Sequence, residues 1–261
     1  AGQGSYSNVF KIQKKNTDEI YAAKIAKLKN EDMNDDVKIN FQRELKLISK
    51  LNHPAIVKFY GYSPVNFKNK PKATIITEFL PSTLEHILDL ERKSIIEFDP
   101  TSKLTVIYGI ASGMKYLHSL NIIHRDLKPT NIMVNEQFFP KIIDFGLSKS
   151  YIHKNQEIVS LVNNSGVKGT PIYISPEIFT NNIYTKSSDV YAFGYIVYEI
   201  IVGVQPSAGL NVFQIYDEIV SKKKRPEFPD FIPDCYKKLI EACWSQDAYK
   251  RPSFAEIIDI S

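Results

Sequence analysis

The sequence predicts an α+β fold of two lobes, a small β-rich lobe over residues 1–80 and a larger helical lobe over residues 81–261. Three observations predict it. Short β-branched and aromatic runs crowd the chain before residue 80, helical periodicities crowd it afterwards, and one amphipathic stretch interrupts the strands. With 43% of 261 residues hydrophobic, the chain can bury a core without disulfides or metal.

The strand-like runs are residues 9–13, 20–25, 56–62 and 73–79. Period-two alternation sets Ala22 and Lys24 on one face of the second run. Phe41, Leu45, Ile48 and Leu51 recur at helical spacing and predict the one helix of the small lobe, which carries Glu44. In the large lobe, Ser82-x-x-Glu85 reads as a capping box opening a helix over 84–90. Leu104, Ile107, Ala111, Met114 and Leu117 mark a long helix, and Val190, Phe193, Val197 and Ile201 mark another. The second is apolar nearly all round, so it should be buried. Between them the sequence predicts short strand pairs, 122–123 with 132–134, and 141–143.

Composition excludes a disordered, collagen-like or low-complexity chain. Cys235 and Cys243 form no CxxC pair and are too few for a disulfide framework, so a reducing, cytoplasmic (intracellular) setting is expected. The longest apolar run, 190–198, stops at Glu199, well short of the ~20 residues a bilayer needs, and no membrane insertion is expected. Net charge is +4, and the densest basic run, Lys222-Lys223-Lys224-Arg225, stands directly before Pro226. It reads as a solvated helix end and not as a nucleic-acid patch, because no aromatics interleave it. No nucleic-acid partner is expected. The chain opens at Ala1-Gly2, inside a motif and without an initiator Met, so a domain cut from a longer protein is expected.

Gly2-Gln3-Gly4-Ser5-Tyr6-Ser7-x-Val9 lies among strands, where a glycine pattern alone reads better as a plain hairpin turn. The lysine in Tyr21-Ala22-Ala23-Lys24 gives it a second reading, with Val9 and Ala22 covering an adenine and Lys24 reaching its phosphates. A buried lysine needs a counter-ion, and Glu44 is the candidate. The decisive segment is Ile123-His124-Arg125-Asp126-Leu127-Lys128-Pro129-Thr130-Asn131, followed by Ile143-Asp144-Phe145-Gly146. Phosphoryl transfer from a nucleotide needs these residue types: a carboxylate to orient the attacking hydroxyl, an amide and a carboxylate for Mg²⁺, a lysine for the moving phosphate.

Taken together these strings resemble the catalytic domain of eukaryotic protein kinases, and the resemblance covers the whole chain. Also matched are Gly169-Thr170-Pro171, Ser175-Pro176-Glu177, Asp189 through Gly194, and Arg251. The resemblance implies the bilobal kinase fold, with a truncated first strand, and transfer of the γ-phosphate of ATP with Mg²⁺ to Ser/Thr hydroxyls of protein substrates in signalling. It implies Asp126, Lys128, Asn131 and Lys24 as catalytic residues, and Asn131 and Asp144 as metal ligands. Nucleotide binding would fall to Gly2, Gly4, Ser7, Val9, Ala22, Lys24, Glu44 and Asp144, with Thr77, Glu78 and Leu80 in the hinge and Met133 as the adenine floor. It also implies a Glu177–Arg251 ion pair and an Asp189 that holds the catalytic loop.

Asp189-Val190-Tyr191-x-Phe193-Gly194 and Cys243-Trp244 resemble the tyrosine-kinase-like (TKL) group, while Lys128 and Thr170 point to Ser/Thr substrates. Three positions depart from the family pattern: Ser7 replaces the third glycine, Ser175 replaces an alanine, and the first strand starts late. The alternatives are a pseudokinase scaffold or a dual-specificity kinase on the same fold. Lys24, Glu44, Asp126, Asn131 and Asp144 are all present, which favours the enzyme. For regulation, Arg125 is expected to face the segment from Asp144 to Glu177, where a phosphate on Ser160 or Ser165, ahead of Thr170, would meet its fork of donors.

Overall fold

A computed structural model of the chain describes residues 7–27, 35–150, 171–206 and 209–260. The alternating apolar runs form a hairpin of β1 (Ser7–Gln13) and β2 (Ile20–Ala26). Helix α1 (Asp35–Ile48) follows, then β3 (Phe59–Ser63) and β4 (Thr74–Glu78). The four strands make one antiparallel sheet in the order β1-β2-β4-β3. Phe41 of α1 packs on Ala26 and Ala73, and Ile48 enters the main core.

The third predicted run is only partly a strand. Residues 55–57 leave the small-lobe sheet and dock on the large lobe, where Val57 N donates to Ile142 O (3.1 Å) and Ile142 N donates to Ala55 O (2.8 Å). Ile56, 2% exposed, belongs to the large core, so burial there overrides strand pairing.

The large lobe opens with β5 (Ser82–Thr83) and α2 (Leu84–Arg92). The capping box fails here. Thr83, not Ser82, is the N-cap and accepts from His86 N at 3.2 Å, because the helix begins at Leu84 and the residue just before it sits under the free N–H groups of the first turn. Helix α3 (Pro100–Ser119) is capped by Asp99, which accepts from Thr101 N and Ser102 N, with Pro100 at its first position. Of its predicted stripe Ile107, Ala111, Met114 and Leu117 are buried, but Leu104 is half exposed near the helix start.

Four short strands follow: β6 (Ile122–Ile123), β7 (Ile132–Val134), β8 (Pro140–Ile142) and β9 (Lys149–Ser150). The predicted pairing of 122–123 with 132–134 is wrong. β6 pairs with β9, while β7 lies between β5 and β8. Short β-branched runs carry no register information, so the partner was not legible.

The remaining helices are α4 (Pro176–Asn181), α5 (Lys186–Val202), α6 (Val212–Tyr216), α7 (Asp234–Cys243) and α8 (Phe254–Ile260). As its pattern predicts, α5 is buried from Ser188 to Ile200 and forms the axis of the lobe. Gly194 lets it approach α7, since a Cβ there would sit 2.8 Å from Cys243 Cβ. Both cysteines are free, and burial pushes the Cys243 thiol up to about 12. The basic run ends a π-helical turn after α6. Lys222 pairs with Asp217 (2.7 Å) and Glu218 (2.8 Å), and Arg225 Nε donates to Trp244 O (2.9 Å). Among the described residues no helix is long and apolar enough to cross a membrane.

Candidate active site

Antiparallel register brings the residues expected to face a nucleotide together on the sheet. Val9 lies opposite Lys24 and Ala22 opposite Thr77, so Val9, Ala22, Lys24 and Thr77 share the face toward the large lobe. Ser7 opens β1 and is buried; Gly2 and Gly4 lie outside the described residues. Leu80 is buried just past β4, and Met133 sits in β7 opposite Thr83. The Glu78 side chain turns away from the Ala22–Thr77 face, accepting from Lys58 N (2.7 Å) and pairing with Lys141 (3.0 Å).

Across the cleft, Lys24 Nζ donates to both oxygens of Glu44 at 2.6 and 2.8 Å and lies 3.4 Å from Asp144 Oδ1. Burial opposes the charge on Lys24, but the Glu44 and Asp144 carboxylates outweigh it and raise the ammonium above its ordinary 10.5. Burial also pushes the Glu44 carboxyl up, with Lys24 pulling against it. At Asp144 burial is again the largest influence, yet Lys24 and the Gly146 N–H overcome it and hold the carboxyl below its ordinary range. Lys24 is therefore an ammonium held between two carboxylates.

The loop expected to be catalytic is a turn of backbone between β6 and β7, pinned from below by the buried Asp189 of α5. Asp189 accepts from His124 N and Arg125 N, each at 2.9 Å, and from the ring of His118 at the same distance. Above this anchor, Asp126 Oδ2 meets Lys128 Nζ (2.9 Å) and Asn131 Nδ2 (2.8 Å), and Asn131 Nδ2 also donates to Asp126 O (2.7 Å). The turn of Asp144 is joined to the loop by Ile143 N, which donates to Asn131 O (3.0 Å). Arg125 and Asp144 both hold left-handed backbone, at φ 70° and 64°. Non-glycine residues adopt that region only where their surroundings over-determine it, as at functional sites. At Gly146 a Cβ would come within 3.3 Å of Asp144 Oδ1, so a larger residue there would press on the Asp144 carboxylate.

Sequence reading missed four contributors. Arg43 of α1 reaches Gly146 O (3.5 Å), and Tyr184 stacks its ring 4.2 Å from the Arg125 guanidinium. His118 is the third; it follows Met114 by four residues, and a polar residue on an otherwise apolar stripe was the available signal. The fourth is Ser148, fully buried, with its hydroxyl on His124 O. Among the regulatory expectations, Ser160, Ser165 and Thr170 lie outside the described residues. Arg125 donates to Leu147 O (3.3 Å) in addition to its stack on Tyr184.

The ion pair of the large lobe forms as expected, Arg251 Nη1 and Nη2 donating to the two Glu177 oxygens at 2.8 and 2.9 Å. Ser175 adds a hydroxyl to the same carboxylate at 2.7 Å.

A lysine-bearing sheet over a helical lobe, with an Asp-Lys-Asn loop and a second aspartate between them, is the architecture of a phosphoryl-transfer domain. The protein kinase domain family matches residues 1–261, and the chain belongs to that family. It is 36% identical over 260 residues to a Dictyostelium discoideum protein named "Probable serine/threonine-protein kinase", covering 99% of this chain and 26% of that relative. It is 33% identical over 261 residues to the serine/threonine-protein kinase CTR1 of Arabidopsis thaliana, covering 99% of this chain and 30% of CTR1. A LIM domain-containing relative from Dictyostelium discoideum is 38% identical over 222 residues, 84% of this chain and 32% of its own. The chain thus spans about a third or less of the length of these curated relatives.

Proposed function

We propose that this chain is an active serine/threonine protein kinase domain of the tyrosine-kinase-like group, acting with Mg·ATP on protein hydroxyls inside the cell. The observation that carries it is the assembled cleft: Lys24 seated on Glu44 and within 3.4 Å of Asp144, facing a loop in which Asp126, Lys128 and Asn131 touch one another. The names of the relatives agree with it.

In this reading Val9, Ala22, Thr77, Leu80 and Met133 enclose the adenine, with Gly2, Gly4 and Ser7 in the loop over the phosphates, and Lys24 orients those phosphates. Asp126 accepts the proton of the acceptor Ser or Thr as its oxygen attacks the γ-phosphorus, and Lys128 stands beside the same carboxylate to neutralise the moving phosphoryl group. The donor set fits Mg²⁺. Asp144 offers a carboxylate that stays ionised at neutral pH, and Asn131, whose nitrogen is committed to Asp126, has its amide oxygen to offer. Mg²⁺ takes oxygen ligands and is commonly held by one or two carboxylates together with substrate phosphates. When bound it neutralises charge on the phosphate oxygens. Ser160, Ser165 and Thr170 belong to this reading as regulatory positions, with Arg125 as the cation a loop phosphate would have to win from Tyr184.

Phosphorylation of a Ser/Thr/Tyr peptide array by the purified domain, with Mg²⁺ and labelled ATP, tests this. Transfer to Ser and Thr is expected. Asp126→Asn should cut turnover by about 10²–10⁴ with nucleotide affinity retained, and Asp144→Asn should abolish transfer. No transfer, or transfer mainly to Tyr, would contradict the assignment.

A further inference from the structure

The segment after Asp144-Phe145-Gly146 is laced residue by residue onto the catalytic loop. Backbone pairing joins Ser150 to Ile122 and Lys149 to Ile123. One step further the backbone ladder stops, and a side chain takes its place, Ser148 Oγ donating to His124 O at 3.1 Å. Beyond that, Arg125 Nη1 reaches Leu147 O at 3.3 Å. Ser148 is completely buried, and its own N–H closes the turn on Phe145 O at 3.1 Å.

His124 is held from every other side by different elements. Its N–H goes to Asp189, its Nε2 lies 3.1 Å from Ile143 O, its Nδ1 accepts from Asp126 N at 3.3 Å, and Phe145 packs edge-on against its ring. Only its carbonyl is left for the chain that leaves Asp144, and Ser148 takes it. The Asp144 turn is thereby fastened at both ends, by Ile143 on the side of β8 and by Ser148 on the far side. Left-handed backbone at Asp144 needs such over-determination to persist.

We propose that Ser148 is a positioning residue for phosphoryl transfer: its buried hydroxyl clamps the far end of the Asp144 turn to the His124 carbonyl and so fixes the Asp144 carboxylate against Lys24. It acts through Asp144 and touches no reacting atom, and it rests on the kinase reading above. A serine in this place is a structural part of the site and not a modification target, since a phosphate would need the volume and the hydrogen bond that the fold already uses.

The test compares wild type, Ser148→Ala and Ser148→Cys by two readouts. In peptide phosphorylation, Ser148→Ala should lower kcat by roughly threefold to tenfold, the scale of one lost hydrogen bond. The Mg²⁺ concentration for half-maximal rate should rise by a similar factor, with KM for the peptide unchanged. In amide hydrogen exchange, Phe145 to Ser148 should exchange faster by about the same factor while α5 is unaffected. Ser148→Cys, of similar volume but a weak donor, should fall between the two and covers the case in which the alanine variant fails to fold. Wild-type exchange at 145–148 in both variants would overturn the clamp, whatever the enzymatic result. Faster exchange with unchanged kcat and Mg²⁺ dependence would overturn its role in positioning. A wild-type protein that phosphorylates no peptide would sink the kinase reading instead, and the exchange arm would still decide the clamp.

Discussion

Lys24, Glu44 and Asp144 come from three distant parts of the chain, and their charges make sense only together. Each is largely withdrawn from water except for the Asp144 carboxylate, whose side chain is 44% exposed to the cleft. Removing the ammonium strands Glu44 in a buried setting, so Lys24→Met should cost most of the turnover, and Glu44→Ala in that background should add little. Groups that act as a unit are not additive. Rates measured for the two single variants and the double variant check this; independent, multiplicative losses would break the pair. The lysine and the loop residues were legible in the sequence because phosphoryl transfer needs those residue types and their order resembles the protein-kinase motifs. Glu44 was legible as the candidate counter-ion of Lys24, on the one helix predicted for the small lobe. Ser148 and Tyr184 gave no chemical signal, since a hydroxyl and an aromatic ring gain their roles here from burial alone.

At the scale of elements, α4 and the turn before α8 are joined by Glu177 and Arg251, whose side chain is completely buried. Burial pushes the Glu177 carboxyl up, but Arg251 outweighs it and holds the group below its ordinary 4.5. A carboxyl depressed in the folded state binds fewer protons than in the unfolded chain. Its contribution is therefore present above about pH 4.5 and is lost as pH falls through the folded value. Arg251→Met should destabilise the domain by about 3–5 kcal/mol, the cost of leaving a buried charge unpartnered. It should also remove that part of the acid sensitivity. Urea midpoints between pH 7 and pH 3 measure both effects, and an identical acid slope in the two proteins would refute the linkage. Element types were readable from periodicity, most securely for α3 and α5. Their ends were not: Thr83 displaced Ser82 as a cap, because the helix begins at Leu84, and 122–123 found β9 as partner, because neighbours in space decide pairing.

For the whole molecule the question is what fastens one lobe to the other. Residues 55–57 lie on β8, and Asn52 N donates to Tyr116 OH of α3 at 3.1 Å while His53 stacks on the same ring. Glu78, at the end of β4, spans the seam, taking Lys58 N from the small lobe and Lys141 from β8. Glu78→Ala removes the acceptor of the exposed Lys58 N–H and of Lys141 and should cost about 0.5–1.5 kcal/mol. Chemical denaturation followed by fluorescence of the single tryptophan, Trp244, reports it. An unchanged midpoint would mean that Glu78 contributes nothing to holding the seam.

The amino-acid sequence by itself determined the small-lobe strands in outline, the helices α1, α2, α3 and α5 with most of their apolar faces, and the chemical inventory of the cleft, because these depend on residue type and local period. Only the tertiary structure decided which strands pair, that residues 55–57 serve the large lobe, that the Glu78 side chain turns away from the Ala22–Thr77 face, and that a buried serine clamps the Asp144 turn. Those outcomes turn on distances between residues far apart in the chain, and the free energy of burying a group depends on neighbours that no local pattern specifies.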